Sequence, residues 1–294
     1  MTPGTDFLKD DLTMLETAAT PAFDFPADLE CESRVELMLD EVQRLAALLA
    51  VEDGYEAAVC DFAVPRDFKL SILIPVYNEA RTIRQVLAHV AALPIRKEII
   101  IVDDASTDET RDILSELENA GDIHVIFKLQ NEGKGAALRT GFRRVTGDVV
   151  VVQDADLEYD PRDILPVIRP IICGEADVVY GSRFLWAKPQ DRSALHRGVN
   201  GMLTWASNCT TGLHITDMET CYKAFRREVL QGFEIEQSRF GFEPEVTAKI
   251  ARRGHRVCEV PVRYQARGYA EGKKIKLRDL FNAFYCIVRY AVRD

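Results

Sequence analysis

Two carboxylates spaced two residues apart, Asp154 and Asp156, are the side chains of this sequence best placed to do chemistry. They follow four consecutive valines at 149–152. An unbroken β-branched run is typical of a strand buried on both faces of a parallel sheet. Ligands of open α/β sheets collect just beyond the carboxyl ends of strands, where paired carboxylates would suit Mg²⁺ or Mn²⁺ and a substrate phosphate. The alternative is that both are turn residues before a helix starting at Asp160-Pro161.

The pattern around the valine run predicts the elements that must position these acids. Strands are predicted at 70–76, 98–102, 123–127, 149–152 and 176–180, with helical spacing between them. This alternation predicts right-handed βαβ units, and hence an α/β fold with a mostly parallel central sheet flanked by helices. Beyond residue 193 the pattern changes to helices near 195–211, 245–251 and 277–292, with strands near 221–225 and 257–262.

Polar side chains follow four of the predicted strands. They are Tyr77, Asn78 and Glu79; Asp103 and Asp104; Asp154, Asp156 and Glu158; and Ser182 with Arg183 after Gly181. Because parallel strands end at one edge of a sheet, these groups are expected to form a polar cleft. The glycine-rich turn at 131–135 would add backbone N–H groups that suit a phosphate or ribose. The motifs G-x-G-x-x-G and G-x-x-x-x-G-K-[ST] are missing, which argues against dehydrogenases and P-loop enzymes.

Charge is distributed unevenly along the 294 residues. The net charge is −10, yet residues 1–66 carry 15 acidic and 4 basic side chains, whereas 251–294 carry 11 basic and 4 acidic ones. The C-terminal end is therefore the part expected to meet anions, unless it is merely a solvated charged face. No nucleic-acid partner is expected. Seven scattered cysteines without C-x-x-C spacing favour a reducing cytoplasm. No signal peptide and no membrane-spanning run are recognised.

The chain is expected to divide into an extension and one main domain. Residues 1–66 are predicted to be an acidic, partly disordered extension without chemistry, containing an amphipathic helix from about Ser33 to Val51. Residues 67–294 would form the domain, with a nucleotide-binding half at 67–183, an acceptor-binding half at 184–275 and an amphipathic C-terminal helix at 276–294.

Four segments carry a family resemblance: Ile74-Pro75-Val76-Tyr77-Asn78-Glu79, Val102-Asp103-Asp104-Ala105-Ser106-Thr107-Asp108, Asn131-Glu132-Gly133-Lys134-Gly135 and Asp154-Ala155-Asp156. In order and spacing they resemble the nucleotide-binding half of family 2 glycosyltransferases with the GT-A fold. Further segments are Thr216-Asp217-Met218, Cys221-Tyr222-Lys223, Phe242-Glu243-Pro244-Glu245 and Arg267 with Glu271-Gly272-Lys273-Lys274. They extend the resemblance, over about 70–275, to the dolichyl- and polyprenyl-phosphate sugar synthases.

The resemblance implies an inverting, metal-dependent transfer of a hexose from a UDP- or GDP-sugar to a polyprenyl phosphate. It implies that Pro75, Tyr77, Glu79 and Asp104 bind the base and ribose, and that Lys134 and Asp154 bind the phosphates. Asp154, Asp156 and Glu158 would hold Mg²⁺ or Mn²⁺, and the residues proposed for catalysis are Asp156, Arg183, Asp217 and Glu245. Arg267, Lys273 and Lys274 form a basic group for the acceptor phosphate.

Alternatives remain open on the acceptor and on location. A soluble hydroxyl acceptor would need a general base, for which Asp217 and Glu245 are available, and a non-catalytic nucleotide-sugar sensor is a further reading. A sugar-phosphate nucleotidyltransferase is disfavoured because Tyr77-Asn78-Glu79 replaces its glycine-rich loop. The apolar stripe Leu277, Leu280, Phe281, Phe284, Ile287, Val288 and Ala291 would pack on the sheet or lie at the inner membrane face. A homo-oligomer is left open.

Overall fold

The computed structural model describes residues 62–118, 123–186, 194–266 and 277–292. Most of the predicted N-terminal extension, including the helix expected from Ser33 to Val51, lies outside these residues. So does the predicted basic group of Arg267, Lys273 and Lys274.

The described strands form one seven-stranded sheet. Their bounds are β1 Leu70–Val76, β2 Lys97–Asp103, β3 Ile123–Phe127, β4 Val149–Val152, β5 Val178–Ser182, β6 Lys223–Arg226 and β7 Val257–Pro261. The order is β3-β2-β1-β4-β6-β5-β7. Only β6 runs antiparallel to its neighbours in this sheet, so the predicted α/β fold with a mostly parallel sheet is confirmed.

Helices cover the sheet and close the second half of the domain. The described helices are α1 Ile83–Ala91, α2 Thr110–Glu118, α3 Lys134–Phe142, α4 Ile164–Ile172, α5 Ala194–Thr211, α6 Arg227–Gln231, α7 Phe242–Arg252 and α8 Leu277–Val292. A short 3₁₀ turn, Pro161–Asp163, precedes α4, and the Asp160 carboxylate accepts the N–H of Arg162 at 2.9 Å, as predicted for a cap.

The valine strand is the centre of the sheet. Each β4 valine is at most 3% exposed, and β4 pairs on one side with β1 and on the other with β6. Burying one valine side chain contributes roughly 1.5 kcal/mol or more to stability. Because both faces of β4 are covered, the carboxylates after it are fixed where the strand ends.

The segment Ser106-Thr107-Asp108-Glu109 has the pattern of a capping box, which predicts a helix starting after Ser106, but α2 starts later. The helix begins at Thr110, whose N–H donates to Asp108 Oδ1 at 3.0 Å. Ala105 adopts a left-handed φ of 60°, which turns the chain before a helix can start. Ser106 Oγ instead accepts the N–H of Asn78 at 2.9 Å. The serine therefore joins the ends of β1 and β2, beside the predicted cleft.

The C-terminal helix packs against α5 and α7. Ile287 is buried together with Cys286 and Tyr290, whereas Phe281 and Val288 are exposed. The predicted apolar stripe is thus divided between an inner and an outer face. None of the helices in the described ranges is long and apolar enough to cross a bilayer.

Glu98 links β1, β2 and the turn before β4. It lies at the amino-terminal ends of these strands, opposite the carboxyl ends that carry the predicted site residues. Its carboxylate accepts from Lys69 Nζ at 2.6 Å and from the Thr146 hydroxyl at 2.7 Å, and Ser71 also donates to it. Burial alone would raise the pKa of Glu98, but these donors outweigh it and lower the pKa to about 2. The ionised carboxylate is therefore part of the folded state.

We predict that Glu98→Gln removes a pH-dependent part of the stability. Since the folded-state pKa is depressed, the contribution is present above the unfolded pKa near 4.5 and is lost as pH falls toward 2. Allowing for solvent screening, it amounts to about 2 kcal/mol. Urea unfolding at a series of pH values should show a smaller loss of stability below pH 4.5 in the variant than in the wild type. If the free energy of unfolding falls with pH in the same way in the variant and the wild type, this role for Glu98 is excluded.

Candidate active site

A cleft of about 280 Å³ lies at the carboxyl ends of β1, β2 and β4. Most of its lining comes from the strand ends and the glycine-rich turn. The lining residues are Pro75, Val76, Tyr77, Glu79, Asp104, Asn131, Gly133, Lys134, Ala137, Asp154, Ala155, Asp156, Arg239 and Phe240. Three of the four predicted strand-end motifs are therefore brought together.

Pro75, Tyr77 and Glu79, predicted to bind base and ribose, all line the cleft. The chain turns sharply at Asn78, which has a φ of 56°. The N–H of Glu79 donates to Thr110 Oγ1 at 2.9 Å, and its Oε2 accepts from Thr82 Oγ1 at 3.0 Å. These contacts hold the turn after β1 against the starts of α1 and α2, and the Tyr77 ring is left exposed beside the cleft.

Asp104 lies in the floor of the cleft and orders the glycine-rich turn. Its carboxylate accepts the N–H of Gly133 at 2.6 Å, the N–H of Glu132 at 3.2 Å and Lys128 Nζ at 2.7 Å. Backbone donors in such a turn hold an anion tightly. In the described structure Asp104 itself is that anion, so it shapes the loop as well as lining the cleft.

The second half of the domain reaches the cleft through residues 236–241. A Cβ added at Gly135 would lie 2.3 Å from the carbonyl oxygen of Gln237, so only glycine permits this approach. The Ala136 N–H donates to the Ser238 carbonyl at 3.1 Å. This contact carries Arg239 and Phe240 into the cleft. The sequence interpretation missed both residues, and only the neighbouring Phe242-Glu243-Pro244-Glu245 motif pointed to this region.

Glu245 anchors the same segment from behind. It is fully buried and does not line the cleft. Its carboxylate accepts the N–H groups of Glu236 at 2.7 Å and Gln237 at 2.8 Å, and pairs with Lys249 Nζ at 2.8 Å. The geometry thus gives Glu245, predicted to be catalytic, contacts that position a loop.

Asp154 and Asp156 both line the cleft, as the sequence predicts. Lys134, from the glycine-rich turn, places Nζ 2.9 Å from Asp154 Oδ1 and 3.7 Å from Glu243 Oε1. Burial disfavours the ammonium, but the neighbouring carboxylate of Asp154 is the main group that outweighs this and holds the pKa of Lys134 well above its usual range. Lys134 is therefore charged.

The two aspartates suit a divalent cation by the chemistry of their oxygens. Mg²⁺ in phosphate-handling sites is commonly held by one or two carboxylates together with substrate phosphates. The predicted third ligand, Glu158, accepts from Tyr264 Oη at 3.3 Å. Across the described part of the chain, no three acidic, histidine or cysteine side chains form a metal cluster. A site of two aspartates completed by a diphosphate therefore fits, and Glu158 is not brought into it.

Arg183 and Asp217 form a buried pair at the end of β5 and do not line the cleft. Arg183 Nε and Nη2 donate to the two carboxylate oxygens at 2.6 and 2.8 Å, and Asn200 Nδ2 donates to Oδ1 at 3.0 Å. Burial would raise the pKa of Asp217, but Arg183 outweighs it and lowers that pKa. The pair joins β5 to the segment before β6.

The chain is similar to a large group of known proteins. Residues 71–233, more than half of the chain, match the model of glycosyl transferase family 2. An undecaprenyl-phosphate 4-deoxy-4-formamido-L-arabinose transferase of Klebsiella pneumoniae is 30% identical over 226 residues, and the match covers 75% of this chain and 66% of that relative. An undecaprenyl-phosphate mannosyltransferase of Micrococcus luteus is 30% identical over 213 residues, covering 68% of this chain and 85% of the relative.

Solved structures share the fold at lower identity. A glucosyl-3-phosphoglycerate synthase from Mycobacterium tuberculosis, crystallised with Mn²⁺, UDP-glucose and phosphoglyceric acid, has a TM-score of 0.56 and 20% identity, covering 77% of this chain and 80% of its own. A mannosyl-3-phosphoglycerate synthase from Rubrobacter xylanophilus has a TM-score of 0.57 and 18% identity, covering 77% and 73%. The expected GT-A fold is confirmed. The chain belongs to glycosyl transferase family 2.

Proposed function

We propose that this protein is a metal-dependent, inverting glycosyltransferase that moves a hexose from a UDP- or GDP-sugar to a polyprenyl phosphate. The observation that carries the proposal is the cleft that Asp154 and Asp156 line together with the residues after β1 and β2. The two undecaprenyl-phosphate transferases among its relatives support a lipid acceptor. The cytoplasmic face of a membrane is then the place where donor and acceptor meet.

The donor would lie along the cleft from Tyr77 to Asp156. Tyr77 offers an aromatic face to the base, and Asp104 with the glycine-rich turn closes the pocket beside it. Asp154 and Asp156 would hold Mg²⁺ or Mn²⁺, which when bound supplies positive charge to the leaving diphosphate. Arg239 and Lys134 add cationic side chains at the same cleft. Arg183, with Asp217, would fix the end of β5 on the side of the transferred phosphates.

The contacts that hold the buried carboxylates of Asp217 and Glu245 favour a phosphate acceptor over a hydroxyl acceptor. A hydroxyl acceptor needs a general base. Asp217 is held by Arg183 with a lowered pKa, and Glu245 is held by Lys249 and two N–H groups. A phosphate acceptor already carries negative charge and needs only to be positioned. We therefore assign positioning roles to Asp217 and Glu245.

The outer face of α8 is proposed to contact the membrane surface. Phe281, Tyr285, Val288 and Val292 recur at helical spacing and are all exposed, Phe281 to 72%. The exposed Trp205 lies on α5, which packs beside α8. An apolar stripe with aromatic residues and a nearby Arg289 is typical of a helix lying in a bilayer interface.

The donor cleft is tested by Asp156→Asn. We expect the variant to lower transfer at least about 100-fold, because it replaces one of the two proposed metal-binding carboxylates with a neutral amide. Transfer from UDP- and GDP-hexoses to polyprenyl phosphate would be measured with Mg²⁺ or Mn²⁺. Asp160→Asn is the control: this nearby acid caps the 3₁₀ turn outside the cleft, and its turnover should stay within about threefold of wild type.

Three results would contradict this proposal in different ways. Undiminished turnover in Asp156→Asn would exclude the metal role of that aspartate. Transfer to a hydroxyl compound but not to polyprenyl phosphate would favour the soluble acceptor. Nucleotide-sugar binding without transfer to any acceptor would favour a sensor.

The positioning role of Asp217 predicts a loss of stability in Asp217→Asn. Breaking a buried ion pair leaves Arg183 without its counter-charge and costs about 3–5 kcal/mol. Urea unfolding measures this loss. Glu116→Gln is the control because Glu116 and its partner Arg84 are both mostly exposed, and such a surface pair contributes about 1 kcal/mol or less. If Asp217→Asn unfolds like wild type and loses transfer only to hydroxyl acceptors, Asp217 is the general base instead.

The membrane contact predicts that Phe281→Ser combined with Val288→Ser lowers binding to vesicles. Removing two large apolar groups from the exposed stripe should weaken co-sedimentation with anionic lipid vesicles about tenfold. Leu129→Ser is the control, since Leu129 is 99% exposed but lies in the loop after β3. Equal binding by all variants would exclude α8 as the contact surface.

A further inference from the structure

Lys134 lies between two carboxylates, and this position affects how a metal can bind beside it. Its Nζ lies 2.9 Å from Asp154 Oδ1 and 3.7 Å from Glu243 Oε1. The side chain is mostly buried, so the attraction between these charges is weakly screened. Asp154 is also one of the two acids proposed to hold the metal.

An ammonium and a divalent cation cannot both remain in contact with Asp154 without strong repulsion. At 4 Å, two like charges in a partly buried site oppose each other by several kcal/mol. Lys134 must therefore move away from Asp154 when a cation binds there. Its backbone is held at the start of α3, where the glycine-rich turn packs against residues 236–241. Only its side chain is able to respond.

Glu243 is placed to receive the displaced ammonium. It is only 5% exposed and lies in the first turn of α7. Oε1 already faces Lys134, and Oε2 has no hydrogen-bond partner among the residues that the structure describes. A buried carboxylate with an unsatisfied oxygen is costly unless a cation or donor satisfies it. Movement of Nζ toward Glu243 would satisfy this requirement.

We infer that Lys134 is an internal counter-ion that competes with the metal for Asp154, and that Glu243 is a positioning residue that accepts Lys134 when the metal binds. This inference rests on the proposed function, because it takes Asp154 as a metal ligand. It implies that metal alone binds weakly. A nucleoside diphosphate would add ligands and negative charge, so metal and donor would bind cooperatively.

The test is a calorimetric titration with Mn²⁺ alone, in the absence of nucleotide. Lys134→Met should bind Mn²⁺ at least about tenfold more tightly than wild type, because the competing charge is gone. Lys134→Arg keeps the charge and should resemble wild type. Lys128→Met is the control for a general effect of charge: Lys128 pairs with Asp104 in the same cleft, 2.7 Å away, and its removal should change Mn²⁺ affinity about twofold or less.

The role of Glu243 is tested by comparing Glu243→Gln with a second variant that also loses one negative charge. Glu243→Gln and Glu132→Gln each remove one negative charge beside the cleft, but Glu243 pairs with Lys134 whereas Glu132 pairs with Lys128. Glu243→Gln should weaken Mn²⁺ binding several-fold more than Glu132→Gln does. In a Lys134→Met background this excess should disappear, since no ammonium remains to be received.

The outcomes separate this inference from the proposed function. If wild type binds Mn²⁺ in the presence of UDP or GDP, but Lys134→Met binds Mn²⁺ alone no more tightly than wild type, the counter-ion role is wrong and the metal site stands. If neither protein binds Mn²⁺ with or without UDP or GDP, both are overturned. Tighter binding by Lys134→Met, with Lys128→Met unchanged, supports the inference.

Discussion

The pairing of β4 with β1 on one side and β6 on the other is the interaction on which the rest of the structure depends. The β1 pairing aligns Leu70 with Val149, so that both strands end at the cleft. The β6 pairing is antiparallel and comes from the second half of the chain. Because that half contributes a strand to the middle of the sheet, the two halves share one core. The aspartates after β4 are consequently held by both halves.

Four buried acidic side chains hold separate parts of the fold together. Glu98 joins the strands at the far edge, Asp104 orders the glycine-rich turn, Asp217 holds Arg183 and Glu245 holds residues 236–237. Each lies buried among donors, as the cost of burying a carboxylate requires. Asp154 and Asp156, like Asp104, line the cleft itself, whereas Glu98, Asp217 and Glu245 do not. We propose that Asp154 and Asp156 bind the ligand, whereas Glu98, Asp217 and Glu245 maintain the architecture.

The local sequence pattern predicted the structure correctly where a single local interaction determines it. The bounds of β1, β3, β4 and α8 follow their apolar periodicity, and the Asp160 cap forms as predicted. The pattern failed at Ser106. The left-handed backbone of Ala105 turns the chain, so that α2 begins further along, and the Ser106 hydroxyl accepts the N–H of Asn78 at the end of β1. The pattern also treated the α8 stripe as one face, although packing on α5 and α7 divides it. In these two cases a distant partner outweighs the local preference.

The sequence alone determined the fold class, the strand ends that carry acids and the family, because strand periodicity and motif spacing are local properties of a chain. Only the tertiary structure decided which acids line the cleft and which partners hold each of them. Asp217 meets Arg183 and Gly135 meets Gln237 across separations of 34 and about 100 residues, respectively. Contacts at that range depend on how the two halves pack. The spacing of residues within a sequence motif does not encode how the two halves pack.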